Sequence, residues 1–182
     1  PEELVRTVYF RGDTLPKDLP RELGQTRHFI TMEYPFAFTN GVQASYLEVD
    51  TDTGVVTLLK HWCVEDCGRV INPQLVDEQI RGGIVQGLGG ALYEEIHYDE
   101  DGQLLNGSMA DYLVPMAAEM PDMVVGHVET PTKESELGAK GAGEAGTAGA
   151  PAAGMNAINH ALPPPGAQGT EQPFTPRTTL QG

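Results

Sequence analysis

The chain has 182 residues, 40% of them hydrophobic and 20% charged, which is enough for one domain with a buried core. Its formal net charge is -15, from 26 acidic and 11 basic side chains, and this balance argues against a nucleic-acid partner because phosphate contacts require clustered lysine and arginine. No apolar run approaches the roughly 18 residues of a membrane helix, so we expect no membrane span and a cytoplasmic location.

The chain opens on Pro1 without an initiator methionine or a signal-peptide pattern, so we interpret it as a fragment or a separately encoded portion of a larger protein. Its two cysteines, Cys63 and Cys67, are too few for a disulfide framework or a four-ligand zinc site, and we expect buried free thiols. The five histidines show no metal-ligand spacing, so no metal ligand is predicted in the chain.

Residues 1–28 are mixed and polar, and we interpret them as a peripheral segment built around a proline-punctuated loop. A strand pattern begins at Phe29 and is clearest over 42–49. A turn at 50–54 and a second β-rich run over 55–62 follow. Two such runs around an Asp/Gly turn predict an antiparallel hairpin.

A long helix is predicted over 73–95. Asn72 is a typical N-cap residue, and Pro73 suits the first helical position. An apolar residue recurs every fourth position along one side of this segment, at Val76, Ile80, Ile84, Leu88 and Leu92.

The opposite side of the same helix is formed by glycine and glutamine, at Gln79, Gly82, Gly83, Gln86, Gly89 and Gly90. Each glycine inside a helix costs about 1 kcal/mol relative to alanine, so this stripe needs a reason. A ligand could lie against the helix, or another backbone could pack closely on it. The spacing alone leaves both interpretations open.

Short strands are predicted again between 96 and 128, with the clearest run at 123–128. The predicted fold is therefore α+β, with antiparallel strand pairs packed on a few helices. Residues 29–162 form the main domain of this prediction, and the proline-rich residues 163–182 form an extended C-terminal tail.

Glycine and alanine dominate residues 137–151, which lead into a predicted helix of small residues over 152–161. Glu144 is the acid inside this run. We expect a tight, partly desolvated setting for it, in which a carboxylate can serve as a general base near neutral pH. Pairing with Lys140 would offset that effect, and a helix-start position that merely favours the helix dipole is the alternative.

Four motifs occur together in a fixed order. They are DCGRVINP at 66–73, VDEQIRGGIVQGLG at 76–89, GSMADYLVP at 107–115 and GAKGAGEAG at 138–146. With these motifs the chain resembles, over about residues 29–178, the large subunit of the xanthine dehydrogenase and aldehyde oxidase family of molybdenum hydroxylases. The bacterial carbon monoxide dehydrogenase-like branch is the most similar.

The resemblance implies the fold of the second molybdenum cofactor-binding domain of that family, with 29–162 supplying the C-terminal half of the site. It implies a molybdenum–molybdopterin cofactor, in bacteria usually the cytosine dinucleotide form. Iron–sulfur clusters and FAD would reside on partner subunits, and the remaining part of the molybdenum subunit would be a further partner. The substrate would be a small molecule of the aldehyde, N-heterocycle or carbon monoxide class.

The same resemblance implies roles for individual residues. The family's glutamate at the position of Glu144 is a general base, which takes a proton from the water-derived oxygen that attacks the substrate carbon. The positions implied to contact the cofactor lie on the glycine–glutamine helix and in the loop before Glu144, and they are Gln79, Gln86, Gly87, Lys140, Gly141 and Gly143. Since the family's large subunit is several times longer, we expect this chain alone to bind no cofactor tightly and to show no turnover.

Two other functions remain as alternatives. The chain could be a noncatalytic, truncated or split-subunit product that acts only in assembly. It could also be an unrelated nucleotide-binding module built on the glycine-rich loop, although the spacing fits neither the phosphate-loop nor the dinucleotide-binding pattern. The presence of Glu144 favours the enzyme.

Overall fold

The protein is described from a computed structural model that covers residues 1–31, 33 and 36–162. The chain divides into two compact units, Pro1–Met32 and Glu33–Gly182. The predicted C-terminal tail, 163–182, lies outside the described residues. No helix in the described part of the chain combines the length and the apolarity needed to cross a membrane.

The first unit contains a helix where the sequence predicted a polar loop. Helix α1 spans Glu2–Phe10, and a short 3₁₀ helix follows at Gly12–Thr14. The two acids of its first turn suit the positive end of the helix dipole, and Arg6 pairs with Glu2 one turn earlier at 3.2 Å. Because Val8 alone of this helix is buried, its apolar stripe is too short to stand out in the sequence.

The second unit is built on the predicted hairpin. Strands β1 (Asn40–Val49) and β2 (Val56–Asp66) pair antiparallel, as predicted, with a register shift at Tyr46/Leu47. In the turn between them, the Asp50 carboxylate accepts hydrogen bonds from the amides of Asp52 and Thr53.

Helix α2 spans Pro73–Leu92 and confirms the predicted long helix. Asn72 caps it, since its side-chain oxygen accepts a hydrogen bond from the Leu75 amide at 3.3 Å. The predicted apolar stripe faces inward, and its central members Ile80, Ile84 and Leu88 are fully buried.

Strand β3 spans Met123–His127 and pairs with β2 in parallel, from His61 opposite Met123 onward. The predicted antiparallel pairing therefore holds for β1 and β2 but not for this strand. The reason is the long helix between β2 and β3, because a crossover connection returns the chain to the sheet in the same direction. The three strands therefore lie in the order β1-β2-β3.

Helix α3 spans Ala145–Ala161 and begins before the predicted start at 152, so the second half of the glycine–alanine run, 145–151, is helical. Small residues form this helix because it packs tightly on α2. A Cβ on Gly87 of α2 would lie 3.0 Å from Ala150 Cβ, and one on Gly83 would lie 3.1 Å from the Thr147 amide nitrogen. Close helix packing, one of the two open interpretations of the glycine stripe, thus accounts for Gly83 of that stripe and for the neighbouring Gly87, whereas a Cβ on Gly82 or Gly90 would meet nothing within 4 Å.

Helices α2 and α3 cover one face of the sheet and enclose the core with it. The buried core consists of Leu47, Leu58, Cys63, Ile80, Ile84, Leu88, Met123, Ala145, Ala150 and Ile158. The other face of the sheet, which we call the outer face, is exposed and carries Val42, Tyr46, Trp62, Val64 and Val124.

Candidate functional site

A cleft of about 570 Å³ opens where the start of β1, the end of β2 and the loop entering α3 meet. Its walls are mostly backbone and small side chains, and the residues that matter for chemistry are Gly41, Gln43, Glu65, Gly141, Gly143 and Glu144. Two of these are acids, on opposite sides of the cleft. A cleft of this size can hold a small-molecule or cofactor fragment.

Glu144 lies at the mouth of this cleft as the N-cap residue of α3. Its carbonyl oxygen accepts hydrogen bonds from the amides of Thr147 and Ala148, at 3.1 and 3.2 Å, while its carboxylate caps no amide. The side chain is exposed, which corrects the expectation of a partly desolvated setting. Glycine neighbours have no side chains with which to cover it.

The two predicted glutamines of α2 face the start of α3. The Gln79 side-chain amide donates a hydrogen bond to the Gly143 carbonyl at 2.8 Å. The Gln86 side-chain oxygen lies 3.4 Å from the Thr147 hydroxyl. Gln79 therefore fixes the backbone immediately before Glu144.

Glu65 is buried on the β2 side of the cleft, directly opposite Gly41 in the hairpin register. A Cβ on Gly41 would overlap the carboxylate of Glu65, so a larger residue here would force the Glu65 side chain to move. The Cys63 thiol donates to Glu65 at 3.2 Å. Burial, followed by this hydrogen bond and by the charge of Glu65, raises the pKa of Cys63 to about 12.

Both cysteines are buried and free, which confirms the expectation from the sequence. Burial also raises the pKa of Cys67. Both thiols are therefore protonated and unreactive at neutral pH. Within the described residues, no three histidine, cysteine, aspartate or glutamate side chains are grouped to hold a metal ion.

The Asp66 carboxylate organises the end of β2. It accepts hydrogen bonds from the Gly68 amide at 2.9 Å, from the Thr130 amide at 3.1 Å and from the Thr130 hydroxyl. Lys140 approaches the same carboxylate at 3.3 Å and donates to the Thr130 hydroxyl at 2.6 Å. Lys140 thus pairs with Asp66, and the considered pairing with Glu144 is wrong.

This network clamps the glycine-rich loop to the sheet. The Lys140 amide donates to the Cys67 carbonyl at 2.7 Å, and the Arg69 amide donates to the Gly138 carbonyl at 3.0 Å. Gly68 and Gly138 both have positive φ, 69° and 72°, which lets the two segments cross closely. The start of the loop that leads to Glu144 is therefore held in place beside the end of β2.

Asp66→Asn is expected to destabilise the fold at neutral pH but not in strong acid. The hydrogen bond from the Thr130 hydroxyl, followed by those from the amides of Gly68 and Thr130 and from Lys140, outweighs desolvation and lowers the pKa of Asp66 below its ordinary value of 3.8. As the pH falls, Asp66 is therefore protonated in the unfolded chain before it is protonated in the folded protein. The contribution of the Asp66 carboxylate to the free energy of unfolding is complete above about pH 5 and is lost progressively below that.

Urea unfolding of the wild type and of the Asp66→Asn protein, followed from about pH 7 to about pH 2, measures this effect. The two midpoints should differ at neutral pH and approach each other in acid. A difference of constant size across the whole range would contradict the assignment.

The structure brings together only part of the predicted site. Gly141, Gly143 and Glu144 line the cleft, and Gln79 and Gln86 adjoin it from α2. Gly87 is buried under α3, and Lys140 is engaged with Asp66.

Sequence reasoning missed Gln43 and Glu65. Extending the predicted hairpin from its turn without a bulge places Gly41 opposite Val64, and only the register shift at Tyr46/Leu47 brings Gly41 opposite Glu65. The signal present in the sequence is Gly41 itself, because a glycine within a strand often marks a close approach.

Comparison with known proteins agrees with the four motifs. A family model described as "Molybdopterin cofactor-binding domain" matches residues 2–121. The nicotine 6-hydroxylase large subunit of Paenarthrobacter nicotinovorans is 44% identical over 179 residues, 98% of this chain and 22% of that protein. The carbon monoxide dehydrogenase large chain of Afipia carboxidovorans is 35% identical over 130 residues, 71% of this chain and 16% of that protein.

The fold is shared with solved structures as well. Quinoline 2-oxidoreductase from Pseudomonas putida 86 superposes with a TM-score of 0.77 at 36% identity, covering 98% of this chain and 23% of that one. The chain thus spans about a fifth of the length of the nicotine 6-hydroxylase large subunit. These matches confirm the predicted fold class and the family, and the chain belongs to the molybdopterin cofactor-binding domain family found in the large subunits of molybdenum hydroxylases of the xanthine dehydrogenase and aldehyde oxidase type.

Proposed function

We propose that the chain forms the C-terminal catalytic portion of a molybdenum hydroxylase, in which Glu144 is the general base for oxidation of a substrate carbon. The observation that carries this proposal is the position of Glu144, whose carboxylate lies in the cleft at the start of α3 and caps no backbone amide. A carboxylate left free of structural hydrogen bonds can accept a proton from a reacting group. The substrate is proposed to be an aldehyde, an N-heterocycle or carbon monoxide.

The residues around the cleft fit a flat, hydrogen-bonding, anionic cofactor. A Cβ added to Gly141 or Gly143 would meet no atom within 4 Å, so the backbone there is open to close approach. The amides of Ala145 and Gly146, which precede the first hydrogen-bonded amide of α3 at Thr147, have no acceptor within the helix, and such amides favour negative charge. We propose Gln86, Gly141 and Gly143 as direct contacts of the molybdopterin, with Gln79 touching it alongside its bond to Gly143.

Two other residues that were predicted to contact the cofactor act indirectly. Gly87 lets α2 and α3 pack closely, and Lys140 anchors the loop through Asp66. We propose that both support the cofactor-binding surface and do not touch the cofactor. Their substitution should loosen the loop that carries Glu144.

The overall reaction adds an oxygen from water to the substrate carbon and releases two electrons and two protons. When bound, the molybdenum cofactor accepts the two electrons. Glu144 takes the proton from the water-derived oxygen as that oxygen bonds to carbon. Because the Glu144 side chain lies at an open edge of the cleft, it can pass the proton on to solvent.

The proposal extends to the assembly around the chain. The rest of the molybdenum subunit supplies the other cofactor contacts, the cofactor is the cytosine dinucleotide form, and iron–sulfur and FAD subunits in the cytoplasm carry the electrons away. The relatives are a "large subunit" and a "large chain" by name, which supports the presence of further subunits in those proteins.

The test is an activity screen of the assembled enzyme that contains this chain. The complex, with its molybdenum content measured, is offered aldehydes, N-heterocycles and carbon monoxide in ¹⁸O-labelled water with an artificial electron acceptor. Turnover of one class with label in the product is expected. A complex fully loaded with molybdenum that oxidises none of them would instead favour a noncatalytic role in assembly.

A further inference from the structure

A chain of partly buried hydrogen bonds runs from the middle of β1 to the first turn of α3, and Gln43 is at its centre. The Gln43 side-chain nitrogen lies 2.9 Å from the Gly146 carbonyl and 3.4 Å from the Ala145 carbonyl. It also lies 3.3 Å from a carboxylate oxygen of Glu65. The two residues that follow Glu144 are therefore tied to the sheet by one side-chain amide.

The far end of this chain fixes the orientation of Gln43. His61 is fully buried, and burial lowers its pKa, so its ring is neutral and has one donor and one acceptor nitrogen. The ring contacts the Gln43 side-chain oxygen through Nε2 at 3.0 Å and the Ser45 hydroxyl through Nδ1 at 2.9 Å. Because the oxygen only accepts, Nε2 carries the hydrogen and Nδ1 accepts from Ser45.

The opposite orientation of the amide is excluded by the neighbours of Gln43. It would point the side-chain oxygen at the Ala145 and Gly146 carbonyls and at the Glu65 carboxylate, which are all acceptors. The Gln43 amide group is therefore held in one orientation, in which its nitrogen donates to the carbonyls of α3.

Gln43 has a counterpart on the other side of Glu144. The Gln79 amide on α2 donates to the Gly143 carbonyl at 2.8 Å, while the Gln43 amide on β1 donates to the carbonyls of Ala145 and Gly146. Glycines at 141, 143 and 146 give this backbone wide conformational freedom. Two side chains from separate elements remove that freedom immediately around Glu144.

We propose that Gln43 is a positioning residue for Glu144, acting through the carbonyls of Ala145 and Gly146. The inference rests on the proposed function, in which Glu144 is the general base. Proton transfer needs donor and acceptor within hydrogen-bond distance, and a misplacement of about 1 Å can cost a hundredfold in rate. Gln43 sets the position of the base and takes no part in proton transfer itself.

The test uses the assembled enzyme with Gln43→Met, which keeps the length of the side chain and removes the amide. Turnover per bound molybdenum is expected to fall about 10- to 100-fold, with KM changed less than about threefold, because the base is displaced while the rest of the site is intact. Gln103→Met is the matched control. Gln103 is exposed in a turn outside the cleft, and its replacement should change neither constant.

A purely structural role predicts a different result, namely less folded enzyme or less bound molybdenum with normal turnover per molybdenum. That result would overturn the proposal. If Gln43→Met does not fold because His61 loses its acceptor, Gln43→Asn is used instead. Its shorter amide can stay with the imidazole but cannot also reach α3, so the same fall in turnover is expected.

A double substitution shows whether Gln43 acts through Glu144. On a Glu144→Gln background, Gln43→Met should cost less than about threefold, because the group it positions is already absent. An equal factor on both backgrounds would overturn the proposal. Glu144→Gln with near-wild-type turnover would refute the general base itself, whereas a slow Glu144→Gln beside a normal Gln43→Met would refute only the positioning role.

Discussion

Glu144→Gln is expected to leave the molybdenum content of the assembled enzyme unchanged and to reduce turnover by about two to four orders of magnitude. Glutamine keeps the size and shape of the side chain but cannot accept the proton. The carboxylate makes no cap hydrogen bond in α3, so its removal should not disturb the fold. Steady-state kcat, expressed per molybdenum, is the quantity to measure.

Glu136→Gln is the matched control for this experiment. Glu136 is an exposed acid that precedes Glu144 in the same segment and does not line the cleft. The Glu136→Gln enzyme should keep the wild-type kcat. This result would separate the loss of a base from a general change in surface charge. Near-wild-type turnover of the Glu144→Gln enzyme would remove Glu144 from the reaction.

Gly146→Ala is expected to destabilise the protein by about 3 kcal/mol. A Cβ at this position would overlap the Ile80 carbonyl oxygen and lie 2.9 Å from the Ile84 amide nitrogen. Both are backbone atoms inside α2, so neither can rotate away. The two helices would have to separate along the line where the core is formed.

Gly82→Ala provides the comparison within the same pair of helices. A Cβ on Gly82 would meet nothing within 4 Å, and alanine inside a helix is favoured over glycine, so a gain of about 0.5–1 kcal/mol is expected. Urea unfolding of the three proteins gives both differences. Equal stabilities for Gly146→Ala and wild type would show that the helices do not pack as described.

Local patterns predicted the hairpin and α2 because the signals for both are local. The Asp50–Gly54 turn fixes the strand pair, and Asn72 with Pro73 fixes the start of the helix. The parallel pairing of β3 depends on a crossover of more than fifty residues between β2 and β3, and periodicity carries no information about a partner so distant.

The candidate site was predictable in part for a similar reason. The motif around Glu144 is contiguous in the sequence, so its glycines and the acid could be found together. The positions of Gln43 and Glu65 in the cleft depend on the register between two strands. The contact of Lys140 with Asp66 depends on the crossing of two loops, so neither feature can be recognised from neighbouring residues in the sequence. Burial of Glu144 was predicted from its small neighbours, but small neighbours expose a side chain unless another element covers it.

The outer face of the sheet gives the chain an internal optical probe. Trp62 is the single tryptophan, it is 38% exposed on that face, and Lys60 lies over its ring at 5.8 Å. Side chains alternate between the two faces of a strand, so Trp62 points to the opposite face from Cys63, which lies on the cleft side of the sheet. The wavelength of its fluorescence emission therefore reports the polarity at the outer face and not in the cleft. Burial of the outer face by another protein segment can thus be detected without an added label.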